Sequence, residues 1–113
     1  MPFTLFTQPE LARVGLTEKE ADQRSLEFRI AKAPVAAIPR AKTMSETRGF
    51  IKALIDVKTD RLLGCTILSP EAGEMISTVQ MAMIANLPFT ALRDAVVTHP
   101  TMTEAFNNLF ARV

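Results

Sequence analysis

The sequence predicts an α+β fold, an antiparallel β-sheet with helices packed mainly on one face. Three observations carry this. LEFRIAKA, GFIKALIDV and RLLGCTIL show the two-residue alternation of half-buried strands. The last two are separated only by the polar Lys58, Thr59, Asp60 and Arg61, a link short enough for a hairpin. The order strand, helix, strands, helices, with hairpin-type connections, leaves no place for parallel βαβ units.

Along the chain, LTEKEA comes first. Thr17 and Glu20 have capping-box spacing, and Leu16 and Ala21 fit the flanking hydrophobic staple, so a short helix is predicted from Glu18 to Arg24. In the strand that follows, Leu26, Phe28 and Ile30 are assigned to one side and Glu27 and Arg29 to the other. A Pro-containing connection, APVAAIPRAKTM, leads to the hairpin, where Ile51, Ala53, Ile55 and Val57 are placed on one face. Ser69-Pro70-Glu71 then supplies an N-cap, a proline at the first helical position and a first-turn acid. The helix is expected to reach Asn86, with Ala72, Met75, Ile76, Val79, Ala82 and Met83 at helical spacing. Met81 and Ile84 widen its apolar surface beyond one stripe, so it is expected to pack on two sides. Two more helices are predicted, Thr90 to Ala95 and about Met102 to Arg112.

A chain of 113 residues with 48% hydrophobic and 22% charged residues is the size and composition of one globular domain. Its longest apolar region, MISTVQMAMIANL, is interrupted by Ser77, Thr78, Gln80 and Asn86, which argues against a membrane span. A net charge of +1, with no basic run, gives no support to nucleic-acid binding. The opening MPFTLFTQPE has no charged leader ahead of an apolar segment, so the cytoplasm is the expected compartment. The single cysteine, Cys65, is expected inside a strand as a structural residue.

The four glycines, at 15, 49, 64 and 73, form no phosphate-cradling loop, and no metal-ligand spacing is present. Attention falls on the single histidine, His99, followed by Pro100 and, five residues on, by Glu104. Thr101-Met102-Thr103-Glu104 is itself a capping box, which explains the glutamate structurally. An imidazole with an ordinary pKa of about 6.5 also suits proton transfer near neutrality. The two readings are compatible, because a chain folding back at Pro100 brings the imidazole toward a first-turn carboxylate. The residues alone leave both open.

FTQPELARVGLTEKEA, RAKTMSETRGFIK, TDRLLGCTILSPEAGEMI and THPTMTEAFNNLF, in this order over nearly the whole chain, resemble the C-terminal dimerisation domain of the flavin-dependent pyridine nucleotide-disulfide oxidoreductases. The resemblance implies a single dimerisation domain over residues 1–113, with the FAD domain, its CxxxxC and the NAD(P)H domain of the parent enzyme absent. The chain alone is then expected to bind no cofactor and to be inactive. It implies a homodimer formed through the helix from Pro70 to Asn86 and the C-terminal segment, and a contact with the FAD domain of the partner subunit. His99 would be the acid/base for the interchange thiol, and Glu104 would orient and charge-stabilise its imidazole. The His99-Pro100 peptide, cis in this family, would aim that side chain and present a main-chain carbonyl to the partner's FAD.

Within the family, the resemblance is strongest to the mercuric-reductase-like branch. Two departures weigh against mercury itself as substrate: that branch usually carries Tyr in place of His99, and it ends in a vicinal cysteine pair where this chain reads Phe110-Ala111-Arg112-Val113. A disulfide, a quinone or another metal ion remains as acceptor. The methionines, Met75, Met81, Met83 and Met102, read as adaptable packing, with the dimer contact as a ready explanation. The rival to this whole reading is a self-contained small enzyme or binding module using His99 in its own pocket.

Overall fold

The computed structural model describes residues 3–5, 10–35, 49–69, 71–94 and 105–111. In chain order these form β1 (Phe3–Leu5), β2 (Glu10–Gly15), α1 (Glu18–Gln23), β3 (Phe28–Pro34), β4 (Phe50–Asp56), β5 (Leu62–Ser69), α2 (Ala72–Ile84), α3 (Phe89–Asp94) and α4 (Ala105–Ala111). The strands make one sheet in the order β1-β2-β5-β4-β3, with every neighbouring pair antiparallel. The predicted class and the β4–β5 hairpin are both present. The pattern did not announce β2, whose inward residues, Ala12 and Val14, are small.

One face of the sheet carries the core. Ala12, Val14, Ala31, Ala33, Ile51, Ala53, Ile55, Cys65 and Ile67 are buried there with Met75, Ile76 and Val79 of α2, Phe89 of α3, and Phe106, Leu109 and Phe110 of α4. α2 lies over β2 and β5, and α4 lies against β3. Among the described residues α1 alone sits on the opposite face, where its Glu18 ion-pairs with Lys52 of β4. Two glycines bring α1 in: Gly15 has φ +75°, and a Cβ at Gly64 would lie 2.0 Å from the Leu16 carbonyl oxygen. The close approach lets the Leu16 N–H donate to the Leu63 carbonyl at 2.9 Å. Among the described residues no helix is long and apolar enough to cross a membrane.

The α1 prediction holds to the cap. The Thr17 hydroxyl accepts from the Glu20 N–H, and the Glu20 carboxylate accepts from the Thr17 N–H, both at 3.1 Å. Three other expectations need correcting. In β3 the inward residues are Ala31 and Ala33, whereas Ile30 is 46% exposed. Hydrophobicity alone puts Ile inside, but strand alternation puts Ile30 on the face opposite Ala31 and Ala33, which are buried in the same core as Phe106 and Phe110 of α4, the helix packed against β3. Val57 is 45% exposed, because β4 ends at Asp56 and the chain turns there. The turn is organised by the Asp56 carboxylate, which accepts from the Lys58 N–H and the Thr59 hydroxyl, each at 3.0 Å.

The third correction concerns the start of α2. Ser69 does not cap the helix: it is the fully buried last residue of β5, paired with Glu10. The N-cap is Glu71, left-handed at φ 59° and making no side-chain cap bond. Instead the Glu10 carboxylate of β2 accepts from the Gly73 N–H at 3.3 Å, so the neighbouring strand supplies an acceptor in the helix's first turn. Pro70, the expected first helical residue, lies outside the described residues. The helix ends in a Schellman arrangement at Asn86, φ 56°, with Leu87 N–H donating to Ala82 O at 3.0 Å and Asn86 N–H to Met83 O at 3.1 Å.

Candidate functional site

His99, Pro100 and Glu104 lie outside the described residues, as do Thr101 and the capping box proposed for it. What is described is the frame on either side, α3 ending at Asp94 and α4 beginning at Ala105. Phe89 opens α3 and fixes it in two ways. Its N–H donates to Asp60 O at 2.7 Å, and its ring lies 5.7 Å from that of Phe110 in α4. Arg29 and Arg93 both approach that ring, at 5.4 and 5.7 Å from its centroid, while Arg29 is paired at 3.0 Å with Asp60.

α4 is held by Phe106, Leu109 and Phe110, all essentially buried. Its polar Asn107 reaches back to α3, where its side-chain amide donates to Leu92 O at 2.9 Å and Arg93 O at 3.1 Å. These belong to the last four carbonyls of α3, which have no partner within their own helix. Asn107 therefore ties the two flanks of the His99 segment into one body. Sequence reasoning missed it, and its only signal was an amide amid the apolar residues of a short helix. At the end of α3, Arg93 and Asp94 pair at 2.9 Å, which raises the guanidinium's pKa and lowers the carboxyl's.

Cys65 is where the sequence put it, buried in β5, and burial pushes its thiol up to about 12 against the opposing influence of Arg13. It is not a nucleophile at neutral pH. Among the described residues no three His, Cys, Asp or Glu side chains gather to hold a metal. Of the four methionines read as packing, Met75 is buried and Met83 lies against the core, whereas Met81 is exposed and Met102 lies outside the described residues.

The outer side of α2 is the remaining feature. Glu74 and Ser77 are exposed along its first half, whereas its second half presents Met81, 64% exposed, and Ile84, 66% exposed, followed by Leu87 at 42%. Met81 and Ile84 are the residues that widen the helix's apolar surface beyond one stripe. In a protomer alone they face water.

The described fold is thus a five-stranded antiparallel sheet with helices mainly on one face and an exposed apolar patch at the end of α2. The chain belongs to the pyridine nucleotide-disulphide oxidoreductase dimerisation-domain family, whose model matches residues 1–110. It is 46% identical over its whole length to Escherichia coli RclA, described as a probable pyridine nucleotide-disulfide oxidoreductase. Human mitochondrial dihydrolipoyl dehydrogenase is 38% identical over 106 residues, 94% of the chain. Among solved structures, E. coli RclA, an HOCl-induced flavoprotein disulfide reductase also determined as a Cu(II) complex, superposes with a TM-score of 0.97 over the whole chain. LpdA from Mycobacterium tuberculosis superposes at 0.89 over 99% of it, with 25% identity. The chain spans about a quarter of these proteins' own lengths, 26% of RclA, 21% of the human enzyme and 24% of LpdA.

Proposed function

We propose that residues 1–113 act as the dimerisation domain of a flavin-dependent pyridine nucleotide-disulfide oxidoreductase whose FAD and NAD(P)H domains lie elsewhere in the parent enzyme. The observation that carries this is the family match across residues 1–110, and the exposed Met81, Ile84 and Leu87 patch supports it independently. Such a patch finds cover in a second copy, because a twofold contact sets like surface on like. Size-exclusion chromatography with light scattering tests the pairing: a dimer mass is expected, and a strict monomer at high concentration overturns it.

In the parent, His99 is the acid/base serving the partner subunit's active site. The thiolate is the attacking species in dithiol-disulfide exchange, so a group must take and return its proton, and an imidazole does so near pH 7. Glu104 orients that imidazole and stabilises its charged form, and the His99-Pro100 main chain approaches the partner's FAD. FAD and NAD(P)H supply the electron transfer. A disulfide is the acceptor class that the relatives' descriptions favour, and the RclA Cu(II) complex keeps a metal ion beside it, in line with a mercuric-reductase-like ancestry. The setting is cytoplasmic. The chain on its own is expected to be colourless and inactive; flavin-free turnover dependent on His99 would transfer the assignment to a self-contained enzyme.

A further inference from the structure

The sheet face opposite the core carries an unusual row. By register Arg13 lies beside Thr66, Thr66 beside Lys52, and Lys52 beside Lys32, so three cations and a hydroxyl run side by side across β2, β5, β4 and β3. Like charges directly opposed on neighbouring strands repel. Two of the three cations are compensated locally, Lys52 by Glu18 and Lys32 by lying 5.1 Å from the Phe50 ring centroid. Arg13 forms no ion pair among the described residues, although its charge reaches the Glu20 carboxylate and helps to lower that group's pKa. Its Nε donates to Thr66 Oγ1 at 2.8 Å and its Nη2 to Leu16 O at 3.3 Å, which hold the guanidinium half-buried in a fixed orientation.

Over this row α1 closes a cleft of about 290 Å3, lined by Arg13, Lys19, Lys52 and Thr66 with Leu16 and Leu54 as apolar walls. Glu18 also lines it, so three cations meet one carboxylate. Because Thr66 Oγ1 accepts from Arg13, its own proton is left to donate, and no described residue takes it. Arg13 Nη1 is uncommitted in the same sense. A fixed guanidinium with a hydroxyl beside it suits the planar or tetrahedral oxygens of an anion.

We propose that this cleft binds a small organic oxyanion, its carboxylate or phosphate held by Arg13 and Thr66 and its hydrocarbon resting on Leu16 and Leu54. The site is on the opposite sheet face from the pairing surface and does not depend on the proposed redox role.

The test is a titration of the 15N-labelled chain with sodium phosphate and, separately, sodium pentanoate, against sodium chloride at matched ionic strength, which removes general screening. Saturable shifts are expected at Arg13 Nε and the Thr66 and Gly64 amides in the millimolar range, and the two arms show which headgroup is preferred. Arg13→Gln is expected to weaken the response about tenfold, the scale of one charge-assisted hydrogen bond. Thr66→Val, which keeps strand propensity, is expected to weaken it severalfold and decides the matter if Arg13→Gln does not fold. Unsaturable drift spread over exposed lysines such as Lys58, or a wild-type midpoint in a folded variant, overturns the site.

Discussion

Cys65 ties a single side chain to the pH behaviour of the whole fold. Burial raises its thiol from an ordinary 9.0 to about 12, so between those values the unfolded chain has lost a proton that the native chain keeps. The native state then binds more protons, and stability falls as pH rises, by about 1.4 kcal/mol per unit in that window. Urea unfolding at pH 8 and pH 10 is expected to show the loss, and Cys65→Ala is expected to remove most of the difference between the two pH values. In the parent enzyme, His99→Gln is expected to lower disulfide turnover by about two orders of magnitude or more. Glu104→Gln, removing a charge that favours the imidazolium, is expected to move the acidic limb of the pH profile downward, and an unmoved limb would contradict the orienting role. Cys65 was legible because Gly64, Thr66 and Ile67 around it form a strand pattern. Ile30 was not, since which face of β3 is covered is decided by α4, a helix far away in sequence that packs against this strand.

At the scale of elements, local chemistry was readable where it acts within one turn. The Thr17 and Glu20 box is such a case, and its bonds from Thr17 also lower the Glu20 pKa. Thr17→Ala is expected to destabilise the fold by about 1 kcal/mol in a denaturant melt. Because the Glu20 pKa is depressed, its share of stability is present above the unfolded carboxylate range and is lost as pH falls through the lowered value. The α2 start was misread because its partner, Glu10, comes from another strand. A left-handed Glu71 with no side-chain cap bond leaves a strained backbone there. Glu71→Gly is expected to stabilise the fold by a few tenths to about 1 kcal/mol, the balance of relieved strain against added chain freedom, while Glu10→Gln is expected to weaken the helix start. If Glu71→Gly is destabilising, the side chain has a role that the cap geometry does not contain.

For the whole molecule, the sequence pointed to an apolar surface too wide for one core, and the fold gathers that excess into an exposed patch at the end of α2. Its position makes the patch separable from folding. Ile84 and Met81 are largely exposed, so Ile84→Glu and Met81→Glu remove almost no core contact and are expected to leave the melting transition of a protomer nearly intact. In a twofold contact each substitution enters twice. Losing about 2 kcal/mol of burial per large apolar side chain on each copy amounts to about 4 kcal/mol, which raises the dimer dissociation constant by roughly three orders of magnitude. Light scattering over a dilution series is expected to show a monomer for Ile84→Glu at concentrations where the wild type is dimeric. Lys32→Gln, on the far side of the sheet, supplies the control and is expected to leave the mass unchanged. A dimer that survives Ile84→Glu and Met81→Glu together places the pairing surface elsewhere. The uncovered end of α2 would then need another partner, because water is a poor neighbour for it.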